Sequence, residues 1–158
     1  MTNVNKDVIS VLNNLIEYSK DGEKGFKTSA EDAKNPDLKA FFVQREGECR
    51  AAAADLQQHV RTLGGDPQTS TSLSGDMHRA WVNLKTSLTS NDDKAVLEEV
   101  ERGEDHALKA YKDALEKLAK LGLTQGDSAY ALVESQYHGV QRNHDQVKVL
   151  RDQYTARS

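Results

Sequence analysis

Apolar residues recur at spacings of three and four along most of this chain, and strand-like alternation is nowhere sustained. This spacing places the apolar residues on one face of an α-helix. The pattern is interrupted at Pro36, at Gly64-Gly65 with the polar stretch that follows, and at Gly122, residue types that end helices. The sequence therefore predicts an all-α protein with helices over residues 4–34, 36–63, 75–89, 91–121 and 127–154.

Local signals support these boundaries. Asn35 is a suitable N-cap for a helix with Pro36 at its first position. Ser90 and Asp93 resemble a capping box at the start of the fourth helix. Gly122 suits the C-cap of that helix.

The lengths of the connections predict how the helices are arranged. Two long helices joined by a tight turn pack antiparallel, and the segment that contains the short helix 75–89 can carry the chain back along the bundle. The prediction is a ferritin-like antiparallel four-helix bundle with a long crossover that contains a short extra helix. We expect one domain over residues 1–158.

Composition limits the partners and the compartment. The net charge is −4 and no run of lysines and arginines occurs, which argues against nucleic acid. No apolar run is long enough to span a bilayer, so we expect no membrane partner, and no signal peptide is visible after Met1. Cys49 is the single cysteine and cannot form an intramolecular disulfide, so we expect a cytoplasmic protein.

The middle of each long helix carries glycine together with ionisable or polar residues, which is unusual for the core of a bundle. Glycine inside a helix costs about 1 kcal/mol relative to alanine, and a buried carboxylate needs a partner. Counting along the two predicted hairpins brings Glu23 level with Gly47, and Glu104 level with Asn143 and His144. The candidate mid-bundle residues are Glu23, Glu46, Cys49, Glu104, Gln141 and His144.

Two interpretations of this layer remain open. A single Glu on each of two helices, with a pair at spacing three on each of the other two, is the template of a carboxylate-bridged dinuclear metal site. Cys49 stands where that template has histidine, and Gln141 stands where it has glutamate. Iron or another divalent metal is thus a candidate cofactor. The alternative is a polar layer that fixes helix register, with Glu104 hydrogen-bonded to His144.

The predicted crossover helix carries a second candidate site. His78, Arg79 and Trp81 are a possible partner-binding surface. The alternative is that Trp81 packs across the bundle.

Five stretches of the chain form a recognisable set: Tyr18-Ser19-Lys20-Asp21-Gly22-Glu23-x-Gly25-Phe26, Leu63-Gly64-Gly65, His78-Arg79-x-Trp81-x-x-Leu84-Lys85, Glu101-Arg102-Gly103-Glu104-Asp105 and Leu150-Arg151-Asp152. These stretches resemble a bacterial ferritin-like four-helix-bundle family that is catalogued as a domain of unknown function. The resemblance covers nearly the whole chain.

The resemblance implies the same fold but no established reaction, and it leaves open whether the protein is an enzyme. Carrying over ferritin-like metal ligands by position gives Glu23, Glu46, Glu104 and His144. Gln141 is tolerated at its position, whereas Cys49 departs from the pattern. We expect a stress-associated or accessory protein that acts by association, and a homo-oligomer. The alternative function is a metal-dependent oxidase or an iron-handling protein that uses the mid-bundle layer.

Overall fold

A computed structural model of the chain describes residues 3–68, 75–90 and 92–157. Within these residues all regular structure is helical: α1 is Asn3–Asp32, α2 is Pro36–Thr62, α3 is Gly75–Thr89, α4 is Asp93–Lys120 and α5 is Ser128–Arg157. No helix in this part of the chain is long and apolar enough to cross a membrane. These bounds differ from the predicted ones by at most three residues at either end.

The helix ends show why the elements begin and stop where they do. The Asn35 side chain accepts hydrogen bonds from the Asp37 and Leu38 amides at 2.9 and 3.4 Å, so Asn35 is the N-cap of α2 as predicted. Gly64 and Gly122 follow α2 and α4 with φ of 83° and 93°, a left-handed conformation that glycine adopts without strain.

The capping box predicted at Ser90 is wrong. Asp92 is the N-cap of α4, and its carboxylate accepts a hydrogen bond from the Ala95 amide at 3.1 Å. The Ser90 hydroxyl instead donates to the Thr86 carbonyl at 2.9 Å, because the chain there still follows the last turn of α3.

The four long helices form two antiparallel hairpins, α1 with α2 and α4 with α5, and α3 packs on α1 and α4. Asn35 donates to the Asp93 carboxylate at 3.0 Å and so ties the start of α2 to the start of α4 at one end of the bundle. The predicted fold, an antiparallel four-helix bundle with a long crossover that contains a short helix, is confirmed.

The apolar core is divided into two clusters along the bundle axis. One cluster, at the end near the α4–α5 turn, is built around Leu12, Leu56 and Leu118. The other, at the end near the α1–α2 turn, is built around Phe42 and Leu97. The residues between the two clusters form the polar middle of the bundle.

Candidate functional site

A buried ion pair between α2 and α4 marks the middle of the bundle. Arg45 donates from Nε to Glu104 Oε1 at 2.9 Å and from Nη2 to Oε2 at 3.3 Å. The side chains are 7% and 2% exposed. The guanidinium carbon also lies 5.0 Å from the centroid of the Phe26 ring on α1, a cation–π distance. Both oxygens of Glu104 are therefore occupied by one guanidinium.

Burial and pairing act against each other on this ion pair. Burial is the largest single effect on Arg45 and opposes its charge, but Glu104 together with Cys49 and Glu48 outweighs it and raises the pKa of Arg45 above its ordinary value. Burial raises the pKa of Glu104, and the Arg45 guanidinium opposes that rise. Each side chain supplies the main opposite charge that stabilises the other. Removing either one therefore leaves a buried charged group without its partner.

A second polar layer crosses the bundle through all four long helices. Tyr111 on α4 donates to Gln136 Oε1 on α5 at 2.8 Å, and Gln136 Nε2 donates to the Ala52 carbonyl on α2 at 3.2 Å. Ser19 on α1 lies at the same level, and its hydroxyl is close enough to Tyr111 to oppose the rise in the pKa of that residue. This chain of hydrogen bonds fixes the register of the two hairpins.

The two layers are seven residues apart on every helix, or about 10.5 Å along the bundle axis. The first layer consists of Phe26, Arg45, Glu104 and Asn143, and the second of Ser19, Ala52, Tyr111 and Gln136. Because neighbouring helices of each hairpin run in opposite directions, a constant offset of seven keeps each layer level. We call them the Arg45 layer and the Tyr111 layer.

A cavity of about 330 Å³ lies between the two layers and is lined by all eight of their residues. Midway between the layers, each long helix contributes a small residue to the wall: Gly22, Cys49, Ala107 and Gly139. The lining residues that are solvent-exposed, such as Glu48 and Asp55 on α2 and Arg142 on α5, lie on these two helices. The cavity therefore opens to solvent between α2 and α5.

The helical glycines around the cavity have two different roles. A Cβ atom on Gly22 would lie 2.7 Å from Cys49 Sγ, and one on Gly25 would overlap the Trp81 indole. These two glycines make room for neighbouring side chains. A Cβ atom on Gly103, in contrast, would meet nothing within 4 Å, although Gly103 also lines the cavity. No packing contact with the described residues thus requires glycine at position 103.

The Cys49 thiol and the Tyr111 hydroxyl, both in the cavity wall, stay protonated at neutral pH. Burial raises the pKa of the Cys49 thiol to about 11, against a smaller opposing effect of Arg45. Burial likewise raises the pKa of the Tyr111 hydroxyl to about 12. Neither group is an activated nucleophile, which requires a lowered pKa or an adjacent base.

The six predicted metal ligands do not converge on one site in the structure, because they contact different residues. Glu104 and Cys49 line the cavity, whereas Glu23 lies 3.9 Å from the Lys20 amino group. Glu46 accepts from Arg50 at 3.2 Å on the helix surface. Gln141 donates to the Tyr137 hydroxyl at 3.0 Å.

The expected hydrogen bond between Glu104 and His144 is wrong. His144 Nε2 lies 2.7 Å from the carboxylate of Asp105, at the surface. Asn143 takes the inward position on α5 and is only 6% exposed. Adjacent residues on a helix differ by about 100° in direction, so His144 cannot share the orientation of Asn143.

Sequence reasoning missed Arg45, Tyr111, Gln136 and Ser19 as members of the mid-bundle polar layers. It placed Asn143 level with Glu104 but chose its neighbour His144 as the inward residue. A signal for Arg45 was present, because positions 42, 45, 49 and 52 continue the spacing of three and four along the inward face of α2. A charged residue at such a position calls for a buried partner.

The donor set, as arranged, does not fit a carboxylate-bridged dinuclear centre. Within residues 3–68, 75–90 and 92–157, no three His, Cys, Asp or Glu side chains are grouped so that they could hold a metal ion. The guanidinium of Arg45 satisfies both oxygens of Glu104, the one predicted carboxylate that points into the centre. The metal-site hypothesis stays a prediction, to be tested by metal content.

The predicted partner surface on α3 is only partly described. Trp81 packs edge-on against Phe26 with ring centroids 5.2 Å apart and planes at 85°. Arg79 is exposed, and the side chain of His78 lies outside the described part of the chain. This surface also stays a prediction.

Comparisons with known proteins agree with the architecture. The family described as "Domain of unknown function (DUF2383)" matches residues 7–117 of the chain. No significant sequence match is found among curated proteins.

Two solved structures share the fold. One is a crystal structure described as ferritin like, diiron-carboxylate proteins from Bacillus anthracis str. Ames, with a TM-score of 0.72 and 19% identity, covering 96% of this chain and 99% of that one. The other is a DPS protein from Vibrio cholerae O1, described as a member of a broad superfamily of ferritin-like diiron-carboxylate proteins. It has a TM-score of 0.69 and 15% identity, and covers 93% of this chain and 90% of that one. At these identities the likeness shows the fold alone.

Proposed function

The chain belongs to the DUF2383 family, whose description names no activity, and we propose from the geometry of its centre that it is a small-molecule binding protein. The binding site is the cavity between the Arg45 layer and the Tyr111 layer. In this proposal the protein acts by association, without chemical change of the bound molecule.

The single observation that carries the proposal is the cavity itself. Protein interiors are close-packed, and voids larger than a water molecule are few. A space of about 330 Å³ in the centre of a bundle, open between two helices, falls within the size range of ligand pockets, about 300–1,000 Å³. Gly103 adds support, because a helix-interior glycine without a packing role costs stability while it keeps the cavity wide.

The chemistry of the wall favours binding over catalysis. The Arg45 guanidinium occupies both oxygens of Glu104, the wall carboxylate whose pKa burial raises. Burial raises the pKa values of Cys49 and Tyr111 further from neutral pH. General acid–base catalysis instead uses groups with a pKa near the working pH. What the wall does supply is apolar surface with a few fixed polar groups, the usual composition of a ligand pocket.

Mass spectrometry under non-denaturing conditions tests this function on tag-free protein purified without detergent. We expect a fraction of the wild-type protein to carry an additional small organic mass, which is released on denaturation. The matched variant is Gly103→Leu, which places a side chain in the cavity. This variant should carry no additional organic mass. An extra mass that persists in Gly103→Leu would place the bound molecule elsewhere and contradict the proposal.

Metal handling is the second candidate function. The observation that favours it is that the carboxylates of Glu104, Glu48 and Glu23 all lie close enough to the Cys49 thiol to raise its pKa. Carboxylates and a thiolate are ligands for iron and zinc. The Arg45 guanidinium opposes this function, because it supplies the positive charge that a metal ion would otherwise supply.

Self-association remains part of the proposal. The chain shares its fold with ferritin-like proteins, and Val43, Val82 and Val149 are about half exposed, at 54%, 48% and 55%. Sedimentation equilibrium at increasing protein concentration measures self-association directly. A protein that stays monomeric at high concentration would contradict this part of the proposal.

A further inference from the structure

Asn143 is a buried polar side chain in the cavity wall. It lies on α5 and is only 6% exposed, and no hydrogen bond joins its amide to another described residue. The amide has two donor hydrogens and an acceptor oxygen, so a molecule in the cavity can satisfy both kinds of bond.

Arg45 offers further donors at the same level of the bundle. Its Nε and Nη2 atoms are bonded to Glu104. The charged neighbour of Nη1 is Glu48 Oε1 at 3.6 Å, which is beyond hydrogen-bond distance. The Arg45 layer therefore combines a neutral amide with unused guanidinium hydrogens, both of which can bind a carbonyl oxygen.

The charges around the cavity disfavour a charged ligand of either sign. Arg45 and Glu104 neutralise each other inside. An anion would approach Glu48, Asp55 and Glu99, and a cation would approach Arg142 and Arg45. The charges of Arg45 and Glu104 are already paired, so neither is free to compensate a charged ligand. Glu99 Oε2 and Trp81 Nε1, which also line the cavity, are buried without a hydrogen bond to the described residues, so they can bind polar groups of an uncharged ligand.

Much of the remaining wall is apolar. Phe26 and Trp81 contribute aromatic surface, and Val100 and Val140 contribute aliphatic surface. A ligand that fills the space between the layers must bury an apolar body there.

We propose that the cavity binds an uncharged, mainly apolar molecule with a carbonyl or carboxamide head group, and that Asn143 binds the head group at the Arg45 layer. This inference rests on the proposed function, since it names the ligand class of the same cavity. Asn143 is a specificity-determining residue in this account.

Three probes of nearly the same shape separate the ligand classes: benzamide is neutral, benzoate is an anion and benzylamine is a cation at pH 7. Trp81 is the only tryptophan and lines the cavity, so its indole N–H signal in ¹⁵N NMR reports binding. We expect benzamide to shift this signal with a dissociation constant at least tenfold lower than those of benzoate and benzylamine.

Variants identify the site and the role of Asn143. Asn143→Leu keeps the branched shape and the number of side-chain heavy atoms but removes the hydrogen bonds. It should weaken benzamide binding about tenfold, while toluene, which lacks the head group, binds equally to both proteins. Asn143→Ala provides a second variant in case leucine disturbs the fold. Gln146→Leu on the exposed face of α5 is the matched control and should change neither affinity. Gly103→Leu should abolish the shifts caused by every probe.

The outcomes distinguish this inference from the function on which it rests. A charged probe that binds most tightly, with binding lost in Gly103→Leu, would overturn the ligand class and leave the cavity as a binding site. Equal benzamide affinity in wild type, Asn143→Leu and Asn143→Ala would overturn the role of Asn143. Absence of binding by all four compounds would overturn both the ligand class and the proposed function.

Discussion

Arg45 on α2 and Glu104 on α4 form a two-point ion pair across the middle of the bundle, with Nε–Oε1 and Nη2–Oε2 distances of 2.9 and 3.3 Å. The pair forms one wall of the central cavity and brings a positive charge into the layer where carboxylate-bridged bundles hold metal ions. Its consequences for stability, for metal content and for the ligand can each be measured.

The ion pair predicts that the stability losses caused by substituting its two residues are strongly non-additive. Arg45→Met and Glu104→Leu should each lower the free energy of unfolding by about 3–5 kcal/mol, because each leaves a buried charge without its partner. The double variant should lose much less than the sum. Urea denaturation measures the free energy of unfolding of the two single variants and the double variant. Additive losses would contradict a direct interaction between the two side chains.

A surface pair on α2 provides the control for this cycle. Arg50 and Glu46 lie 3.2 Å apart, but the Arg50 side chain is 62% exposed. Arg50→Met should therefore change the free energy of unfolding by less than about 1 kcal/mol.

The glycines predict stability changes of opposite sign. Gly103→Ala should raise the free energy of unfolding by about 1 kcal/mol, since the added methyl group meets nothing and alanine favours the helix. Gly25→Ala should lower it, because its methyl group would displace the Trp81 indole. Thermal melts followed by circular dichroism compare the two, and a loss of stability in Gly103→Ala would show that position 103 is already tightly packed.

The raised pKa of Cys49 predicts a pH dependence of stability. The pKa rises from 9.0 to about 11 on folding, so between these values the folded state keeps a proton that the unfolded state releases. The free energy of unfolding should then fall as the pH rises from about 9 to about 11. Cys49→Ala should show a shallower decline over the same range. Identical slopes in wild type and Cys49→Ala would mean that the thiol is not buried.

The sequence predicted the architecture well because the evidence for it is distributed over long segments. The spacing of three and four extends through helices of 27 to 30 residues, so an error at one position changes little. Asn35, Pro36 and Gly122 then defined ends that the structure confirms.

The site was harder to predict because it depends on helical phase at single positions. Arg45 and Glu46 are neighbours in sequence, as are Asn143 and His144, and in each case the inward residue was not the one chosen. A difference of one residue rotates a side chain by about 100°. Glu104 was placed correctly inside, but its partner came from another hairpin, and contacts between hairpins leave no trace in the spacing along one helix.

Metal content tests the central claim most directly, namely that the Arg45–Glu104 pair, and not a metal centre, organises the middle of the bundle. Elemental mass spectrometry is applied to tag-free protein as purified, and again after anaerobic loading with ferrous iron and desalting. We predict that no iron is retained in stoichiometric amount. One or two irons retained per chain, and lost in Glu104→Ala and His144→Ala, would contradict the account and establish the metal-handling function instead.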